Sequence, residues 1–169
     1  MVQQLNIKEI NGMNKPKFMM TFENVVEKCP QAALHLLTRR PYMNTYEVLS
    51  SLEEFFDALT IEDKMKILHQ HPELASLNKH VTEDSVNEQT KSGLKTLPEH
   101  TQSSFTELNA LYRKKFGFPF IMCVAGSDPH KILSSMQERL DSDVESEINA
   151  GIREVKKISK HRLSNLIVD

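Results

Sequence analysis

The chain has 169 residues, enough for one domain to bury a core without disulfide or metal staples. Lys and Arg number 21 against 23 Asp and Glu. The resulting net charge of -2 shows neither the basic excess of a nucleic-acid binder nor the basic face of a membrane-surface protein. The longest apolar run, residues 118–125, is far too short to span a bilayer as a helix. The two cysteines, Cys29 and Cys123, make no CxxC pair of the zinc or redox kind. Two scattered thiols fit a reducing compartment, and the first dozen residues lack a secretory apolar core, so a cytoplasmic location is expected.

In chain order, residues 1–18 read as a polar segment, flexible or loosely docked, ahead of a helical domain over 19–169. Thr21-x-x-Asn24 predicts a capped helix running through Cys29 with Phe22, Val25 and Val26 on its apolar face. Pro30 suits the first turn of a helix carrying Ala33, Leu34 and Leu37, which must stop before Arg40-Pro41. Ser51-x-x-Glu54 and Thr60-x-x-Asp63 each predict a helix start, the second running towards His71-Pro72. A helix over 82–92 ends at Gly93, and Pro98 opens a long one that breaks at Gly117. Asp128-Pro129 is a cap followed by proline at the first helical position. Ser142-x-x-Glu145 leads the last helix, where Val144, Ile148, Ile152 and Val155 recur at three- and four-residue spacing. The pattern predicts an all-α, single-domain bundle of seven to nine helices, with one short strand-like stretch at residues 120–124.

Five places carry polarity or geometry that packing alone does not require. The segment 82–93 has almost no apolar face, yet Ser85, Glu88, Gln89 and Ser92 share one side of a helix. Either this is a solvated helix or it lines a pocket for a ligand rich in amide and ureido groups. His71, held at a helix end by Pro72, is either a capping or packed histidine or a proton-transfer group. His69-x-His71 is a poor metal pair, because residues two apart on a helix diverge. The stretch Phe116-Gly117-Phe118-Pro119-Phe120 combines core rings with a Gly and a Pro that rings alone do not need. Arg162 and Arg40 each read as a helix-end cation or as a clamp for a carboxylate.

Taken together, five blocks resemble the 2-oxo-4-hydroxy-4-carboxy-5-ureidoimidazoline (OHCU) decarboxylase family of urate degradation. They are Arg40-Pro41-Tyr42, His71-Pro72-Glu73-Leu74-Ala75, Ser85-x-x-Glu88-Gln89, the run from Leu108-Asn109-x-x-Tyr112 through Lys115-Phe116-Gly117-Phe118-Pro119-Phe120-Ile121, and Glu154-Val155-x-Lys157-Ile158-x-x-x-Arg162-Leu163. The resemblance implies an all-helical, usually dimeric carboxy-lyase that uses neither cofactor nor metal and yields (S)-allantoin. It implies His71 as the catalytic histidine with Glu88 as its acidic partner. It also implies Pro72, Ser85, Gln89, Phe118, Phe120, Ile121 and Arg162 around the substrate. Functional coupling to urate oxidase and hydroxyisourate hydrolase is implied as well. A peroxisomal address is not written in a Ser-Lys-Leu-like tail. Glu73 and Ser76 depart from the family's usual residues, and the 76–80 loop has no glycine. The rival readings are a helical binding module without turnover and a purely structural helical protein; a pocket joining His71 and Glu88 is the feature that separates them from the enzyme.

Overall fold

The computed structural model describes residues 4–76 and 81–168; residues 77–80, most of the loop singled out for its lack of glycine, lie outside them. Nine helices account for most of the described residues: α1 (Ile7–Gly12), α2 (Lys15–Phe22), α3 (Pro30–Thr38), α4 (Thr45–Asp57), α5 (Ile61–Gln70), α6 (Glu83–Lys91), α7 (Glu99–Phe116), α8 (Pro129–Arg139) and α9 (Val144–Leu166). The all-α class is therefore as expected. Residues 120–124 form no strand, and the one β-bridge among the described residues joins Leu5 to Ile167. No helix among them is long and apolar enough to cross a membrane.

The chain divides into two compact units, residues 1–63 with 156–169, and residues 64–155. In the first unit, Asn6 and Glu9 form a reciprocal capping box on α1, and Asn14 caps α2 with Pro16 in its first turn. These local signals make helices of a segment that hydropathy reads as loose, and each helix buries an apolar anchor, Ile10 and Phe18. The predicted helix from Thr21 to Cys29 is not formed. Thr21 sits inside α2, its hydroxyl donating to the Lys17 carbonyl, and residues 23–29 turn irregularly through a left-handed Lys28 at φ 48°. Val25, Val26 and Cys29 are buried all the same, so the apolar spacing reports burial rather than helix.

Ser51 likewise does not open a helix. Asn44 caps α4 through the Glu47 N–H, and Ser51 lies buried in mid-helix, accepting the Tyr42 hydroxyl. Arg40 resolves to a helix-end role: its guanidinium stacks on Phe18 and donates to the carbonyls of Ile10, Asn11 and Met13, where α1 ends. Helix α2 packs on α3, and α3 on α4.

Still in the first unit, Thr60 and Asp63 exchange cap bonds at the start of α5, and in the second unit Asp128 caps α8, both as the spacing predicts. The last helix starts one residue later than read, with Asp143 capping Ser146. Gly151 of α9 meets Leu68 of α5 so closely that a Cβ there would stand 2.8 Å from a leucine methyl. That approach, with Lys64 donating to Asn149, fixes the end of α5 that leads into His71.

Candidate functional site

Helix α6 is the centre of the site. Thr82 caps it through the Ser85 N–H. It ends in a Schellman turn: Leu94 N–H reaches the Gln89 carbonyl, Gly93 N–H reaches Thr90, and Gly93 takes φ 75°. Ser85, Gln89 and Ser92 are buried and Glu88 half-buried, while Val86 is exposed. The helix thus turns its polar stripe inward and its apolar residue outward, the reverse of an ordinary surface helix. That inversion excludes the solvated-helix reading of this segment.

Two irregular segments attach to that stripe. The first is the loop after α5. His71 is buried, its backbone N–H closing on the Leu68 carbonyl at the helix end, while His69 is exposed. Pro72 follows, half-buried. Gln89 Oε1 accepts the Ala75 N–H at 3.0 Å. Only the amide oxygen can accept, so this bond fixes which way the Gln89 amide points. The same loop is held from α7, where Gln102 Nε2 donates to the Ala75 carbonyl at 2.7 Å and Asn109 Nδ2 to the Leu74 carbonyl at 2.9 Å.

The second is residues 118–124. Gly117, at φ 82°, ends α7 in the left-handed region and lets the chain reverse. Phe118 and Phe120 are fully buried, their rings edge-on to Tyr112 with centroids 6.0 and 5.3 Å away. Those rings are core. The backbone beyond them is held by side chains: Arg139 Nη1 donates to the Ile121 carbonyl at 2.7 Å, Glu154 accepts the Cys123 N–H at 2.9 Å, and Ser92 of α6 donates to the Val124 carbonyl at 2.9 Å. Arg139 also stacks on Phe120, 4.4 Å from the ring centroid, and pairs with the buried Glu147, which accepts the Tyr112 hydroxyl too. Burial first, and then the Glu147 acceptor, push the Tyr112 phenol far above its ordinary range.

Gln89 and Ser92 thus bring the His71 loop and the segment containing Ile121 onto one face of α6. Arg162 belongs to the other unit. There it is buried, with Nη1 donating to the Asn24 carbonyl at 2.7 Å and to Glu27 at 2.9 Å, and Glu27 is itself fully buried. Sequence reasoning missed Gln102 and Arg139, which bond the two segments from flanking helices, and Glu147, which backs Arg139; it named Glu154 in a family block without giving it this role. Asn109 had a signal: it interrupts the buried face Phe105, Tyr112, Phe116 at helical spacing, and its Oδ1 is buried with no partner among the described residues. An orphaned buried acceptor costs about 1–3 kcal/mol, so its retention marks the donor on the same amide as needed.

Fold and site define an all-helical protein with an inward-facing polar helix and a buried histidine loop pinned to it. The sequence profile of the family described as OHCU decarboxylase matches residues 11–164, and this chain belongs to that family. The 2-oxo-4-hydroxy-4-carboxy-5-ureidoimidazoline decarboxylase of Amia calva is 34% identical, over 96% of this chain and 95% of its own. The Xenopus laevis protein of the same name is 33% identical, over 98% and 96%. The fold matches a crystal structure of OHCU decarboxylase in the presence of (S)-allantoin, with TM-score 0.74, 23% identity, 88% of this chain and 99% of that one. It also matches (S)-allantoin synthase, with TM-score 0.77, 19% identity, 96% of this chain and 54% of that one.

Proposed function

We propose that this protein converts 2-oxo-4-hydroxy-4-carboxy-5-ureidoimidazoline to (S)-allantoin and CO₂ without a cofactor. The reading is carried by the inverted helix α6, whose buried Gln89 is bonded to the loop that presents the buried His71. The relatives that align over nearly the whole chain support the same reaction.

Cleavage of the C–CO₂ bond leaves its electron pair on a ring carbon conjugated with the neighbouring imine or carbonyl. The ring therefore acts as its own electron sink, and protonation of that carbon completes the reaction. The protein's task is orientation and fixed dipoles. His71 manages the proton at the substrate hydroxyl or oxyanion, and Glu88 orients it or accepts from the ureido N–H groups. Ser85 and Gln89 hold the ring so that the departing carboxylate stands perpendicular to the conjugated system. Pro72, Phe118, Phe120 and Ile121 form the wall. Arg162 lies in the other unit, where the buried Glu27 already balances its charge, and an ion pair to the ground-state carboxylate does not speed its loss, so no rate effect is assigned to it. A homodimer, a cytoplasmic location, and coupling to the enzymes that oxidise urate and open hydroxyisourate belong to the same proposal.

The test is to generate the substrate in situ from urate and follow its decay and the handedness of the product by circular dichroism. The wild-type chain should accelerate the decay and give one enantiomer. His71→Ala should lose about 10²–10⁴-fold while keeping its helical spectrum. Near-normal turnover in that variant removes His71 from its role, and no acceleration by the wild type removes the reaction.

A further inference from the structure

Ala75 is a left-handed residue, at φ 56°, without the freedom of glycine. It is buried, and it sits in neither helix nor strand, so its polar groups need partners from side chains. It has them on both sides: its N–H goes to Gln89 of α6 and its carbonyl to Gln102 of α7. The preceding carbonyl, Leu74, goes to Asn109 of α7, and the Glu73 carboxylate before that pairs with Arg113 of α7 at 2.7 Å. Residues 73, 74 and 75 thus meet residues 113, 109 and 102, an antiparallel run down one face of α7, because seven- and eleven-residue steps return to the same side of a helix. Three neutral side-chain amides close on two consecutive peptide units, four residues after His71.

We propose that Gln102 and Asn109, together with the amide oxygen of Gln89, form a clamp that holds Ala75 in its left-handed turn and thereby sets the position of the His71 ring. This rests on the reading of His71 as the proton-handling group. Gln102 and Asn109 are positioning residues: they act on the loop. The His71 backbone is fixed upstream by the end of α5 through Leu68, so the clamp is the downstream anchor of the same short loop. With either α7 amide replaced by a carboxylate of equal size, a carbonyl faces an oxygen instead of a donor, and the loop relaxes towards right-handed backbone at Ala75.

The variants are Asn109→Asp and Gln102→Glu, each alone and each combined with Ala75→Gly, with His71→Ala alongside. Turnover of the in-situ substrate gives kcat and KM, and the NMR signal of the His71 ring carbon-bound proton gives a readout independent of turnover. The clamp predicts a loss of about 10- to 100-fold in kcat, since a misplacement on the order of 1 Å has that effect. It also predicts KM changed by less than about threefold, a displaced His71 signal, and partial recovery of both when Ala75 becomes glycine, which needs no clamp to turn left-handed. Folded variants with wild-type kcat and an unmoved ring signal overturn the clamp. In that case loss of turnover in His71→Ala leaves the functional reading standing. If His71→Ala matches the wild type, the functional reading falls, and the ring signal alone decides the clamp: displaced supports it, unmoved overturns it. Gln102 is only half-buried, so should Asn109→Asp fail to fold, Gln102→Glu and its glycine double variant carry the same decision.

Discussion

Two irregular segments rest on helix α6, and they are held by opposite chemistry. The loop at residues 73–75 is fixed by the neutral amides of Gln89, Gln102 and Asn109. The segment at 120–124 is fixed largely by charges: Arg139 on the Ile121 carbonyl, Glu147 behind Arg139, and Glu154 on the Cys123 N–H. An amide bonds a peptide group without adding net charge, so its hold is insensitive to pH and salt and leaves the electrostatics of a nearby imidazole undisturbed. A guanidinium holds a carbonyl and a carboxylate with one rigid fork, a stronger grip whose value depends on keeping its counter-charge. In the proposed reaction, proton handling falls to the neutrally held segment and the apolar wall to the charged one.

The strongest way to break this contrast is to remove the counter-charge. Glu147→Ala leaves the largely buried Arg139 uncompensated and takes the acceptor from Tyr112. Losing one partner of a buried pair costs about 3–5 kcal/mol. The lower end applies here, because the Arg139 side chain keeps 18% of its surface exposed. Urea unfolding of the variant against wild type measures it. A loss below about 1 kcal/mol would mean that the rings of Phe118 and Phe120, rather than the ion pair, hold the segment.

Alkaline pH sharpens the same comparison. The Tyr112 proton is held more tightly in the folded chain, chiefly by burial and then by the Glu147 acceptor. A raised folded value means that the stabilisation is complete below the ordinary tyrosine value of 10.0 and is lost as pH climbs beyond it. Each pH unit above that point costs up to about 1.4 kcal/mol for one such proton. Stability of the wild type measured from pH 8 to 11 should therefore fall more steeply than that of Tyr112→Phe. Tyr42, raised by its own burial in the other unit, adds a separate contribution that Tyr42→Phe removes. Equal slopes in wild type and Tyr112→Phe would show that the phenol proton is not linked to folding.

Much of this organisation is legible in the sequence, and the part that is not has a common cause. Caps written as one polar residue and a partner three positions on, Thr60 with Asp63 or Asp128 before Pro129, were readable because the whole motif is local. Thr21 and Ser51 carry the same letters and cap nothing, because Asn14 and Asn44 had already started those helices upstream. Competing caps are settled by which start buries the better face. The inward polar stripe of α6 was visible as four polar residues on one side, but its burial was not, since burial depends on what packs against it. Gln102 and Asn109 lie 27 and 35 positions from the carbonyls they bind, and no local spacing encodes such a bond. The Arg139 and Glu147 pair is eight apart, two turns on a single helix, yet the two residues lie on different helices and meet through the turn between them.

The smallest expected effect tests the neutral side of the contrast. Arg113 pairs with Glu73 at the start of the clamped loop, but the arginine side chain is 51% exposed and the glutamate 28%. Water and salt screen such a pair, and exposed ion pairs contribute at most about 1 kcal/mol. Arg113→Ala should therefore change unfolding free energy by less than about 1 kcal/mol. The residual difference should shrink as ionic strength rises from about 0.05 to 0.5 M, across which the screening length falls from somewhat above 10 Å to well below it. Turnover should remain within about twofold of wild type at either ionic strength, since the amides downstream still fix Leu74 and Ala75, and a twofold change corresponds to only about 0.4 kcal/mol. A large loss of turnover that is itself salt-sensitive would place charge, rather than the amide clamp, in control of the His71 loop, and the division between a neutral and a charged segment would fail.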